Sequence, residues 1–88
     1  MPLTQIEIAT LIALFSATKG SIHAHVPIEA ITARVRKDQR GTIKKTVKRL
    51  VRRGLAIKHP TGGGMTYHIS TEGINIAREY LRSTSSSS

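Results

Sequence analysis

Apolar residues recur along this 88-residue chain at two spacings, and each spacing marks a different kind of element. Ile8, Leu11, Ile12 and Phe15 fall three and four apart, the period of one helix face. Thr4 and Glu7 precede them as a capping box, in which the Thr4 hydroxyl caps the helix start and Glu7 reaches back. The pattern predicts a helix over 4–18, with Gly20 as its stop signal. The opposite side is not polar, because Ile6, Ala9, Ala13 and Ala17 fall along it at spacings near four. A helix apolar on two sides is normally buried on two sides, and small residues suit close approach of another helix.

Residues 21–26 lean toward β and predict one short strand. Pro27 suits the first position of a second helix, where its missing N–H costs nothing; Ile28, Ile31 and Val35 mark the inner side of that helix, which ends near Val35. Arg36 and Lys37 fill a turn, Asp38 is placed as N-cap of a third helix ending at Arg53, and Gly54 follows it. Ile43, Val47, Leu50 and Val51 are the inner stripe of that helix. Residues 55–58 and 65–69 alternate as strands around the flexible tip 59–64, which holds three glycines. Ser70 or Thr71 caps a last helix running to about Arg82, with Ile74, Ala77 and Leu81 inside. The chain is thus one domain over 1–82, with a disordered Ser-rich tail at 83–88.

Charge changes the picture most. Residues 34–58 hold eleven Lys/Arg and one acid, Asp38, a local charge of +10 in a chain of net +9. So dense a block repels itself unless a polyanion neutralises it, and nucleic-acid phosphate is the usual one. The alternative is a solvated basic face with no partner. With no Cys, the chain has neither disulfides nor thiolate metal sites. One Phe, two Tyr and no Trp argue against base stacking on single strands. The apolar run 6–15 is too short for a membrane span and lacks a preceding basic segment, which points to an intracellular protein without membrane contact; with the basic block, the expected place is cytoplasmic, at the nucleoid.

The series Thr42-Ile43, Val47, Leu50-Val51, Gly54-Leu55, then a Gly-rich hairpin, then Tyr67, Ile69, Ser70 and Gly73 resembles a winged helix-turn-helix. It is similar to the small dimeric transcription regulators of the MarR type and their archaeal relatives, over roughly residues 4–82. The resemblance implies a mainly α fold with a small β-hairpin: helix, short strand, helix, turn, recognition helix, two-stranded wing and C-terminal helix. It also implies pairing of two copies through their terminal helices, which sets two recognition helices about one DNA turn apart. Ile6, Ala9, Ala13, Ala17, Ile76, Tyr80 and Leu81 would supply that seam; otherwise they pack only within the chain.

At 100° per residue, Gly41, Lys45, Lys48, Arg49 and Arg52 lie opposite the inner stripe of the third helix, flanked by Thr42, Lys44 and Arg53. A major groove admits an α-helix, and residues near the helix start reach base edges. Arg40, Thr42, Lys45 and Arg49 are therefore assigned to bases, with Gln39 the one amide near the helix start. Lys44, Lys48, Arg52, Arg53, Arg36 and Lys37 are assigned to phosphates, and Gly41 allows close approach of a phosphate to the helix start. Lys58 and His59 stand at the base of the wing, whose tip carries no basic residue.

His23 and His25 would share one side of a strand, a spacing compatible with a zinc pair, but only Glu29 is near as a further ligand; they read as surface histidines. Five scattered carboxylates and no paired nucleophile suggest no active site, and no cofactor or small-molecule ligand is expected. Three functions remain: a homodimeric regulator on duplex DNA, a sequence-independent nucleoid protein, or an interaction module whose basic face meets an acidic protein in a replication or transcription complex.

Overall fold

The computed structural model describes residues 2–86. Among them the order is α1 (Gln5–Ala17), β1 (Val26–Pro27), α2 (Ile28–Thr32), a 3-10 turn (Lys37–Gln39), α3 (Arg40–Arg52), β2 (Ala56–Thr61), β3 (Gly64–Ile69) and α4 (Thr71–Ser86). The protein is mainly helical, with a small antiparallel sheet in the order β1-β3-β2. That layout is compatible with a winged helix.

α1 starts at the expected capping box: the Glu7 N–H donates to Thr4 Oγ1 at 3.2 Å, and the Thr4 N–H donates to Glu7 Oε1 at 2.8 Å. Its end is set by Lys19 and Gly20, both left-handed at φ 55° and 73°, whose N–H groups close onto Ser16 and Phe15 carbonyls. The inner face differs from the expected one. Glu7, Thr10, Leu11, Ala13 and Leu14 are buried, whereas Ile8, Ile12 and Phe15 are half-buried. Threonine can stand inside because Thr10 Oγ1 donates to the Ile6 carbonyl at 2.7 Å, which leaves only its methyl to pack.

The other boundaries move for local reasons. Pro27 belongs to β1 and caps α2 from outside rather than opening it, and the strand is two residues long instead of spanning 21–26. α2 stops at Thr32, short of Val35, as Arg40 Nε donates to the Thr32 carbonyl at 3.1 Å. Asp38 caps nothing: it sits in the 3-10 turn and meets Arg36 at 3.4 Å, both side chains exposed. Gln39 takes the N-cap place of α3 without a side-chain cap. The hairpin pairs through Thr61↔Gly64, so its loop is only Gly62-Gly63. α4 continues to Ser86, past Arg82 into the segment expected as a disordered tail; Ser87 and Ser88 lie outside the described residues.

Leu11, Leu14, Ile31, Ile43, Val47, Leu50 and Ile69 are wholly buried, so one core joins α1, α2, α3 and the sheet. α4 docks where β3 ends. The Ser70 N–H donates to the Leu55 carbonyl, Ser70 Oγ donates to Gly54, and the Gly73 N–H donates back to Ser70 Oγ. Gly73 lies so close beneath this turn that a Cβ there would overlap the Leu55 carbonyl oxygen and press on Ile69 Cγ1. Gly73→Ala is therefore expected to lower unfolding stability by about 1–3 kcal/mol, as overpacking does. Urea unfolding followed by circular dichroism measures it, and an unchanged midpoint would refute the close approach.

Candidate nucleic-acid interface

α3 is built from two incompatible halves. Ile43, Thr46, Val47 and Leu50 are buried at spacings of three, one and three, which turns the remaining positions outward. Arg40, Gly41, Thr42, Lys44, Lys45, Lys48, Arg49 and Arg52 are all exposed on that outer side. Val51, expected inside, is half-buried at the edge of the stripe. Arg36 and Lys37 are exposed just before the helix. Five cations, Lys44, Lys45, Lys48, Arg49 and Arg52, form no ion pair among the described residues. The expected ridge is thus brought together on one surface.

The residues at its start are more engaged than expected. Thr42 Oγ1 donates to the Gln39 carbonyl at 2.9 Å, and Gln39 itself is half-buried. Arg40 is exposed but spends its Nε on α2.

Arg53 leaves the ridge. Its Nε lies 3.3 Å from Glu7 Oε2, with the Glu7 side chain almost fully buried and Arg53 largely so. Sequence periodicity places Arg53 at the margin of the cationic face, but the helix ends there and the side chain turns back to α1. The Thr4 N–H bond holds the Glu7 carboxyl below the usual range, against its desolvation, and the pull of Arg53 and Arg49 adds to it.

The wing divides its residues by face. Directly paired residues share a face and successive residues alternate. Lys58 pairs with Tyr67 and looks toward α3, where Lys48, Val51, Arg52, Lys58, Met65 and Tyr67 line a groove of about 270 Å³. His59 pairs with Thr66 on the other face, so it leaves the α3 side altogether.

There its ring centroid lies 4.5 Å from that of His25, and His68 lies 4.7 Å from His25 on the other side. His68 Nδ1 meets the Ile22 carbonyl at 2.9 Å. Sequence spacing pairs His25 with His23; the sheet pairs it with residues far away in the chain. The signal was the strand alternation, which sets 59 and 68 on one face once the hairpin register is known. Among the described residues no group of three or more His, Cys, Asp or Glu is spaced to hold a metal ion.

The expected seam is partly used inside the chain. Ala13 is buried in the core and cannot meet a partner, because α3 and α4 pack along α1. Ile6, Ala9, Ala17, Ile76 and Tyr80 are half-buried, and Leu81 is exposed. Ile76 and Tyr80 line a groove of about 300 Å³ with Pro2, Leu3 and Glu79. No helix among the described residues is long and apolar enough to cross a membrane. No protein-family model matches the chain, and no curated protein matches it either.

Two groups make stability depend on pH in distinct windows. Desolvation under its neighbours, with repulsion from His59 and His68, holds the His25 imidazole below its ordinary range. The unfolded chain then binds that proton first, so stability is complete above ~6.5 and is lost as pH falls toward the lowered value. Glu7 is lowered too, so its contribution is complete above ~4.3 and is lost below that, through its folded value. His25→Gln is expected to remove the loss that begins below ~6.5 and keep the acid one; Glu7→Gln does the reverse. Urea midpoints at pH 7, 5.5 and 3.5 check this, and parallel profiles for both variants would refute it.

Proposed function

We propose that this chain is a winged helix-turn-helix protein that binds duplex DNA as a homodimer and regulates transcription, with α3 in the major groove. The observation that carries the reading is the outer face of α3: five cations that form no ion pair among the described residues, on a helix pinned from behind by Ile43, Val47 and Leu50. Lys45 and Arg49 are the residues for base edges, with Arg40 and Thr42 beside them. Lys44, Lys48 and Arg52 serve the phosphates, along with Arg36, Lys37 and Lys58. Gly41, exposed at the helix start with open space around its Cα, lets a phosphate come near the positive end of α3. Arg53 and His59 have no part in this surface. The protein acts by binding, at the nucleoid, and not by catalysis.

The second copy is proposed to meet α1 and α4 through Ile6, Ala9, Ala17, Ile76, Tyr80 and Leu81, without Ala13. Half-buried Ile8 and Ile12 enlarge that apolar surface. A domain of this size has a modest core and gains from burial shared between copies.

One observation favours a sequence-independent mode of binding as the second reading. Gln39 is half-buried and the Thr42 hydroxyl is occupied within the helix, so cations dominate what faces the bases. Cations alone discriminate bases poorly apart from guanine.

A salt titration of duplex binding tests the DNA reading. Neutralising ~6–8 phosphates gives a slope of log K against log[salt] of roughly −5 to −7, and a flat line rejects both DNA modes in favour of an acidic protein partner. Lys45→Ala and Arg49→Ala are expected to weaken binding about tenfold or more each, while Arg78→Ala, on exposed α4, leaves it nearly unchanged. Equal losses at all three would mean that α3 is not the reading element. A selected site favoured over random duplex by less than ~10³ would leave the sequence-independent mode. Light scattering is expected to report twice the 9.6 kDa chain mass; a monomer at high micromolar concentration removes the seam.

A further inference from the structure

We infer that the groove between α3 and β2 is a built seat for one phosphodiester of the DNA backbone with its deoxyribose, gripped by Lys48, Arg52 and Lys58 and by the Tyr67 hydroxyl. The inference rests on the DNA reading and makes the body of the wing, rather than its glycine tip, the second point of attachment.

Two different elements converge on this groove. Lys48 and Arg52 are four apart on α3, one turn of the same face. Lys58 comes from β2, and the Lys58↔Tyr67 pairing sets both side chains on the face toward α3. None of the three cations forms an ion pair among the described residues, and the half-buried Tyr67 makes no hydrogen bond through its hydroxyl. No acceptor among the described residues takes this hydroxyl, so it has a donor to give.

Arg52 in the last turn of α3 also suits the negative end of the helix dipole. That accounts for Arg52 alone, not for Lys58 on a separate strand.

The remaining lining is apolar, from Val51 and Met65. An inorganic anion needs no such floor, whereas the carbons of a deoxyribose do. At about 270 Å³ the groove falls below the ~300–1,000 Å³ usual for drug-sized ligands, and it suits one sugar-phosphate unit. The larger groove at the other end of α3 contains Asp38 and lacks this uniform sign.

Anchoring the backbone here ties the C-terminal half of α3 and the strand that follows it to one phosphate. Lys45 and Arg49, on the adjoining strip of the exposed face, are then held against the bases.

Fluorescence anisotropy with a labelled 20-base-pair random duplex at several salt concentrations reads the effect. Lys58→Ala is expected to make the salt slope shallower by about one, the loss of one phosphate contact. Tyr67→Phe is expected to keep the slope and weaken binding about two- to tenfold, the loss of one hydrogen bond. A steep wild-type slope that Lys58→Ala leaves unchanged, with Tyr67→Phe binding as tightly as the wild type, overturns the seat and spares the DNA reading. The groove has its own readout in amide chemical shifts on adding 2-deoxyribose 5-phosphate. Shifts concentrated at Val51, Lys58, Met65 and Tyr67 support a sugar-phosphate seat in this groove, while a flat duplex slope removes the DNA reading on its own. Shifts spread evenly over the cationic face overturn it.

Discussion

Everything in this molecule is arranged around a conflict within α3, which must serve as the central wall of the core and carry most of the charge. Lys44 with Lys48, Lys45 with Lys48 and Arg49, and Arg52 with Lys48 and Arg49 are like-charge neighbours at helical spacing. Together such pairs cost roughly 1–2 kcal/mol. Full burial of Ile43, Val47 and Leu50 offsets this, at about 1.5–3 kcal/mol for each side chain. Packing wins, and the helix holds its cations outward because its inner face has no other way to sit.

The end of α3 is where the conflict is settled. Arg53 would continue the repulsion by one more charge, but it is turned onto Glu7, whose carboxylate also closes the cap of α1. One buried acid therefore neutralises the last cation, completes the first turn of one helix and ties it to the last turn of another. Gly54, left-handed at φ 76°, then lets the chain reverse, and the Leu55 N–H closes onto the Leu50 carbonyl before β2 begins. The direction of β2, and with it the side on which Lys58 stands, follows from that turn.

Much of this was legible in the residues. The capping box of α1, the stripe of α3, its glycine stop and the hairpin each rest on a local rule, and each is observed with small shifts. What could not be read depends on contacts between distant parts of the chain. Glu7 and Thr10 replace Ile8 and Ile12 inside because their polar atoms find partners at Thr4, Arg53 and Ile6, which no periodicity of apolar residues reveals. Ala13 looks like a seam residue in one helix and proves to be core once α3 and α4 lie beside it. Arg53 and His59 turn away from the cationic face for the same cause. Being basic and near the right place says nothing of which way a helix terminus or a strand face turns.

The sheet carries this last point into the proposed function. Strand alternation splits two adjacent residues, Lys58 and His59, between opposite faces, one toward α3 and one onto His25. The face toward α3 gathers cations that form no ion pair among the described residues, while the far face gathers imidazoles that disfavour protonation of His25. A polyanion relieves the strain on the first face and finds no lysine or arginine among the three rings stacked on the second. The asymmetry of the wing thus gives the proposed complex a direction: nucleic acid lies along α3 and the inner side of β2, and the histidine face is left to solvent.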